Sequence, residues 1–451
     1  MSGASAKGVV ALSQALRDGS LDSVTLIRDC LDRIAAENAR LNAFVEVFEA
    51  EALAAAERAD RERTAGTDRG PLHGIPVALK NNLDIAGRAT TACSEALRDN
   101  VAAADADAVA RLRAAGAVII GRTNMHELAY GGTGQISVAG PARNPHNTDH
   151  LAGGSSSGSA AAVAAGLVPV ALGSDTGGSV RIPAATCGLV GLKPTFDRIP
   201  TGGVVPLSWT LDHVGVLART VEDAAVVAAV LEANDSPAMP SRPLSSSGLH
   251  IGVARFPDLM LDRAVEDRFD RSLQALQAAG HQISHFDLEY TREVHRSWLA
   301  IMYPEATSRF ESLLKSRYNE FDSTIRTQLE AGRHVGATTY LRAQRFRGFY
   351  GRHIAGIAAD YDLLCMPTLP TLAPEVGQNE VELPSGTVST QDAMTFSNLT
   401  ANMLGWPTIT LPMGPDEGEL PAGLTLLCPA GQDDRLLYFA AAVAEVIRGS
   451  R

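Results

Sequence analysis

The sequence predicts an α/β protein with a mixed, largely covered central β-sheet and helices on both faces. Three observations carry that expectation. Helical and strand-like patterns alternate along the whole chain, with no internal repeat. The strand-like runs are short, continuously apolar and bounded by Gly or Pro, as at 75–79 and 117–121, which is the pattern of covered strands. The chain has 451 residues, 45% of them hydrophobic, enough to build a large core.

The elements follow in order. Leu12, Ala15 and Leu16 share one helical face, and Gly19 ends it; Ser23 is placed to cap a second helix in which Leu26, Cys30 and Ile34 recur at helical spacing. Residues 42–47 alternate as a strand, and 49–63 form an exposed helix whose charges make a solvated face. The run 75–79 is a buried strand ending at Lys80. A helix at 107–115, a strand at 117–121 and a short helix at 124–130 come next, then a glycine-rich loop at 131–134. Further strand pieces are expected at Val204, Val205 and Pro206 and at 214–217, with a helix at 221–232. Residues 236–247 are rich in Pro and Ser and read as a linker. Beyond it lie a strand at 249–254, a helix at 264–279, a strand at 282–286 and a nearly continuous helical region at 293–359 that holds much of the aromatic content. Strands at 361–367, 408–413 and 423–428 and helices at 397–404 and 435–447 complete the chain.

Composition narrows the function. The net charge is −12, with the acidic excess spread along the chain, which argues against a nucleic-acid binder. No apolar run is long enough to span a membrane, and the first residues lack a secretory pattern. Five widely spaced cysteines, with no C-x-x-C, argue against a disulfide framework or a zinc site and favour a reducing cytoplasm. Of 39 basic residues, only Lys7, Lys80, Lys193 and Lys315 are lysine. Arginine cannot lose its proton in a protein and a buried lysine can, so each lysine is of interest.

The chemistry concentrates between Leu151 and Lys193. Gly153-Gly154-Ser155-Ser156-Ser157-Gly158-Ser159 and Gly173-Ser174-Asp175-Thr176-Gly177-Gly178-Ser179 flank a small-residue apolar segment. Unhindered N–H groups beside a serine can stabilise the oxyanion of acyl transfer, and serine needs a base before it attacks. No histidine adjoins either loop in sequence, so Lys80 is a candidate base. The plainer readings are tight turns with capping serines, and a lysine that is simply the first solvated residue after a strand. Gly154-x-Ser156-x-Gly158 also fits a nucleophile elbow, but no downstream Asp and His are favoured by spacing. A phosphate loop would lack its lysine, since Ala160 and Ala161 follow, and Ser312-x-x-Lys315 stands in an ordinary charged helix.

Taken together, the two loops, with Cys187-Gly188-Leu189-Val190-Gly191-Leu192-Lys193-Pro194-Thr195, resemble the signature block of the amidase signature family. Gly74-Ile75-Pro76-Val77-Ala78-Leu79-Lys80 is similar to that family's lysine strand. The likeness continues at Asn144-Pro145, Met366-Pro367-Thr368 and Leu404-Gly405-Trp406-Pro407, so it covers nearly the whole chain. It implies one domain over 1–451, with a catalytic core over 60–235. The helical region 290–360, the least family-like part, is expected to cap the substrate pocket.

The resemblance also implies a set of roles. Ser179 matches the nucleophile, Ser155 the bridging serine on a cis peptide, Lys80 the base and Ser156 a supporting hydroxyl. The N–H groups of Thr176, Gly177, Gly178 and Ser179 match the oxyanion hole, and Ala129, Tyr130, Gly131, Gly132 and Thr133 are expected in the pocket wall. The implied activity is hydrolysis of carboxylic amides, anilides or carbamates through an acyl-enzyme, with no cofactor and no metal. A homodimer is compatible with it. The alternative is a glutaminase-type subunit of an amidotransferase; there the acidic residue for the glutamine amino group aligns with Thr395, which is neutral and disfavours that branch. Where the family has Gly-Gly after its two serines, this chain has Ser157-Gly158, which a backbone with negative φ at Ser157 tolerates.

Overall fold

The computed structural model describes residues 7–232, 248–414 and 419–449. The expected linker at 236–247 lies outside the described residues. The strands, in chain order, are β1 (Phe44–Val47), β2 (Pro76–Lys80), β3 (Val118–Thr123), β4 (Val170–Asp175), β5 (Val190–Lys193), β6 (His213–Ala218), β7 (His250–Arg255), β8 (Gln282–Asp287), β9 (Leu363–Pro367), β10 (Glu380–Leu383), β11 (Gly386–Ser389), β12 (Thr408–Pro412) and β13 (Gly423–Leu427). Among the described residues, eleven of them form one sheet in the order β1-β3-β2-β4-β6-β5-β12-β13-β9-β7-β8, and β10 and β11 pair as a separate hairpin.

The sheet is mixed. β2 runs parallel to both β3 and β4. From β4 through β6, β5, β12, β13 and β9 each neighbour is antiparallel, and β9, β7 and β8 are parallel again. Every residue of β2, β3, β4, β5, β6, β9 and β13 is buried, the apolar runs as expected of covered strands and, with them, polar strand-end residues such as Lys80, Arg122, Asp175, Lys193 and His213. One apolar cluster binds this sheet to its flanking helices. A second joins the helices Thr291–Ser316, Ser323–Gly332 and Ala337–Ala358 to Tyr130, Leu207 and Leu399, so the helical region lies against one end of the sheet.

Three local expectations are corrected. Residues 124–130 are not an α-helix; only a single 3-10 turn forms there, at Glu127–Ala129. Asn124 gives its N–H to Ala43 and accepts from Gly158, and Glu127 N–H goes to Ile136, so tertiary bonds replace the helical ladder. Leu128 and Ala129 have φ of 54° and 60°, which no α-helix accommodates. Val204, Val205 and Pro206 form no strand: Val204 makes only an isolated bridge to Leu83, and proline offers no donor to extend it. The cap of the helix Ser23–Leu41 is Asp22, whose carboxylate accepts from Thr25 N–H; Ser23 instead donates its hydroxyl to Gly74 O.

Candidate active site

The site stands at the carboxyl ends of the parallel neighbours β2 and β4, where an α/β sheet opens a crevice. Lys80 closes β2 and is fully buried, so it is not the first solvated residue of a connection. The chain after β4 turns sharply through Thr176, Gly177, Gly178 and Ser179 into the short helix Arg181–Cys187. The first serine loop lies beneath that turn: Ser156 N–H donates to Ser179 O at 3.2 Å. The Gly154–Ser155 peptide is cis, as the resemblance implied. Ser157 is absent from the positive-φ residues and opens the helix Ser157–Ala164, so a serine fits there.

Lys80 Nζ lies 2.7 Å from Ser155 Oγ, 2.9 Å from Ser174 Oγ and 3.3 Å from Ser174 O. Burial pulls the lysine pKa down to about 7, although Asp175 and Asp212 act in the other direction. The amine can therefore exchange a proton near neutrality. Ser156 Oγ accepts from Ser174 N–H at 3.4 Å and lies 3.3 Å from Ser174 O, so it braces the strand end that holds the lysine. Among the described residues, no hydrogen bond links Ser155 Oγ to Ser179 Oγ; the two loops meet through Ser156, by its backbone bond to Ser179 and its hydroxyl contacts with Ser174.

Asp175 organises the turn. Its buried carboxylate accepts from Gly178 N–H at 2.8 Å, Val180 N–H at 3.1 Å, Asn402 Nδ2 at 2.9 Å and the Arg181 guanidinium at 3.0 and 3.1 Å. Burial alone would raise its pKa, but the Arg181 charge and hydrogen bonds outweigh that and hold the carboxyl well below the usual range. A second buried lysine, Lys193, donates to the Trp406 and Pro194 carbonyls and lies 3.2 Å from His213 Nε2. His213, remote from the loops in sequence, thus sits behind them.

A cavity of about 300 Å³ opens above the turn. Thr176, Gly177 and Ser179 line its floor, and Lys80 and Ser155 lie below. Ala129, Tyr130, Gly131 and Gly132 line one wall as expected. Thr133 does not: it is turned inward, with Oγ1 3.4 Å from His126 Nδ1. Gly178 is likewise absent from the lining, because its amide is spent on Asp175; among the described residues, the amides of Thr176, Gly177 and Ser179 donate to no protein group. Trp298, Leu299, Met302, Tyr303 and Gln328, all from the helical region, also line the cavity, and Thr395 lines it beside Gly132. Trp298 Nε1 also donates to Thr176 O at 3.0 Å. Among the described residues, no group of three His, Cys or acidic side chains is placed to hold a metal ion.

Ser174, Asp175, Arg181 and Asn402 are the residues to which sequence reasoning assigned no role. An acid inside a glycine-rich loop, followed six residues on by arginine, was the available signal for the Asp175–Arg181 pair. The partner Asn402, 227 positions away from Asp175, had none.

The Amidase family model matches residues 25–437. An amidase from Pseudomonas putida is 36% identical over 448 residues, covering 95% of this chain and 93% of that protein. A glutamyl-tRNA(Gln) amidotransferase subunit from Symbiobacterium thermophilum is 34% identical over 473 residues, covering 95% and 94%. A crystal structure of an amidase superposes with a TM-score of 0.91 at 33% identity, covering 97% of this chain and 99% of that one. A paired lysine strand and glycine–serine loops in this geometry, with this extent of likeness, place the chain in the Amidase family, the amidase signature hydrolases of carbon–nitrogen bonds.

Proposed function

We propose that the chain hydrolyses carboxylic amides, aryl amides and carbamates through an acyl-enzyme on Ser179. Neutral Lys80 takes a proton from Ser155, Ser155 takes one from Ser179, and Ser179 Oγ attacks the substrate carbonyl carbon. The amides of Thr176, Gly177 and Ser179 receive the oxygen as it turns negative. The tetrahedral adduct collapses, the C–N bond breaks, and the proton returns along the same path to the leaving amine. Water, activated in the same way, then releases the acid and frees Ser179. Ser156 and Ser174 hold the strand end in register. The helical region 290–360 caps the pocket, with Trp298 and Met302 against the acyl or aryl group.

The observation that carries this reading is the fully buried Lys80, at about pKa 7, with its nitrogen 2.7 Å from Ser155 Oγ. A panel of aliphatic amides, anilides and carbamates, assayed with the purified chain and with Ser179→Ala, tests it. Cleavage that disappears in Ser179→Ala, with fluorophosphonate labelling lost in the same variant, is expected. Full activity of Ser179→Ala on every cleaved compound would refute the mechanism.

The amidotransferase relatives favour a second reading, in which the chain hands ammonia to a partner protein. The neutral Thr395 at the aligned position counts against it; the acid that does line the cavity, Asp392, lies 3.7 Å from His295 Nε2 instead. Turnover of anilides by the chain alone excludes dependence on such a partner.

A further inference from the structure

Thr176, the first residue of the turn above β4, is gripped from two sides. Its carbonyl accepts from Trp298 Nε1 at 3.0 Å, and its hydroxyl donates to Asp212 Oδ1 at 2.6 Å. Asp212 Oδ2 accepts from Leu207 N–H at 2.9 Å and Ser208 N–H at 3.0 Å. Ser208 Oγ then donates to Glu305 Oε2 at 2.7 Å. Glu305 accepts further from Thr210 N–H at 3.2 Å, Thr210 Oγ1 at 2.9 Å and Tyr340 OH at 2.8 Å. Trp298 and Glu305 lie seven residues apart on the helix Thr291–Ser316, about two turns, so one helix holds the turn directly and through a bridge of two carboxylates.

Both carboxylates are buried, at 5% and 1% exposure; among the described residues neither has a cation within ion-pair distance, and Lys80 and Arg347 act on Asp212 and Glu305 only from further away. Burying an acid without a cation is costly unless hydrogen bonds replace its water. Each has them, but a docked apolar helix would need neither acid. What the acids add is direction. An amide that receives a developing oxyanion must stand within about 0.5 Å of its working position. The Thr176 hydroxyl is the atom through which the bridge reaches that amide's own residue.

We propose that Asp212 and Glu305 are positioning residues for the reaction: through Ser208 they fix the Thr176 side chain, and so hold the Thr176 and Gly177 amides where the substrate carbonyl oxygen becomes negative. This rests on the Ser179 reading above. Burial also pushes the Asp212 carboxyl up to about 7, against the hydrogen bonds from Thr176, Ser208 and Leu207.

The test uses the full chain and a 4-nitroanilide of a short aliphatic acid. Thr176→Val keeps the shape and the backbone amide but removes the hydroxyl. Its kcat should fall about tenfold to a hundredfold, with KM within about twofold, and Thr176→Ser should restore the rate. Ser208→Ala cuts the bridge to Glu305 without touching the turn and should lower kcat about threefold or more by the same argument. The inhibition constant of a matching trifluoromethyl ketone, whose oxygen occupies the same site, should rise by the factor kcat falls. A kcat for Thr176→Val within about twofold of wild type overturns the proposal, whatever its melting temperature. A full rate in Ser208→Ala overturns the part of Glu305. Ser179→Ala separates the two ideas: surviving activity there removes the Ser179 reading, whereas a dead Ser179→Ala beside a full-rate Thr176→Val removes only the positioning role.

Discussion

Lys80 Nζ and Ser155 Oγ lie 2.7 Å apart in a fully buried site, and the other close partners of that nitrogen are both on Ser174. No carboxylate forms an ion pair with the amine among the described residues. A lysine held among hydroxyls and a carbonyl, away from water, loses its proton easily, and its pKa falls to about 7 for that reason. In the proposed mechanism the neutral form is the base, so kcat/KM should rise with pH through about 7 and level off above it. Lys80→Arg should be inactive at every pH, because guanidinium stays charged. A flat wild-type profile from pH 5.5 to 8.5, measured on an anilide, would separate Lys80 from the rate.

The same burial makes Lys80 a stability term with a definite sign. Its folded pKa of about 7 lies below the free value of 10.5. Between those values the unfolded chain binds one more proton than the folded one, so stability rises with pH across that window and is unaffected below it. The slope is about 1.4 kcal/mol per pH unit for one proton. From pH 7 to pH 9, wild type should therefore gain about 2 kcal/mol relative to Lys80→Met in urea unfolding. Lys193 is present in both proteins and cancels. Parallel curves for the two proteins would mean that Lys80 is not depressed.

The two glycine–serine loops and the lysine strand were legible as patterns, but by residue type alone they also fit capped turns and a solvated lysine, and the roles of Ser155, Ser179 and Lys80 came only from the resemblance of the patterns taken together. What the sequence could not show was which atoms are already spent. Gly178 looks like an oxyanion donor until Asp175 is seen to hold its amide, and Thr133 looks like pocket wall until it turns toward His126. Asn124 to Tyr130 scores as a helix, but Ala43, Ile136 and Gly158 claim its backbone from other parts of the chain. Long-range partners were invisible for the same reason. Ser208 and Glu305 are 97 positions apart, and nothing local to either residue points to the other. The buried strands of the sheet survived this difficulty because a covered strand is defined by its own apolar run, whereas the expected strand at Val204 to Pro206 did not form and the partly exposed hairpin β10–β11 had no such run to mark it.

Asp175 and Arg181 form a buried ion pair at 3.0 Å, each almost wholly shielded from water. Removing one partner strands the other, so Asp175→Asn should destabilise the protein by about 3–5 kcal/mol in chemical unfolding. Replacing both, as Asp175→Asn with Arg181→Met, should recover part of that loss. The carboxyl sits well below its ordinary pKa when folded, so its contribution is complete at neutral pH and is lost only as the pH falls below about 4. A single variant as stable as wild type at pH 7 would show that Asn402 and the backbone amides suffice.

Gly177 and Trp298 meet at the floor of the cavity, and their packing sets what the cavity accepts. A Cβ on Gly177 would stand 2.6 Å from Trp298 Cζ2, closer than real side chains approach, and a tight 3.3 Å from Leu399 Cδ2. Gly177→Ala must therefore move the indole, which also holds Thr176 O through its N–H. Both kcat and KM should worsen, since the oxyanion turn and the acyl wall shift together. Trp298→Phe removes the hydrogen bond but keeps most of the wall, so its loss should fall mainly on kcat, by about tenfold. Trp298→Ala opens the wall as well, and its kcat/KM should shift in favour of bulkier acyl groups relative to short ones. The ratio of rates for a short and a branched acyl anilide, compared across the three variants, checks the argument. An unchanged ratio in Trp298→Ala would mean that the acyl group does not rest on the indole.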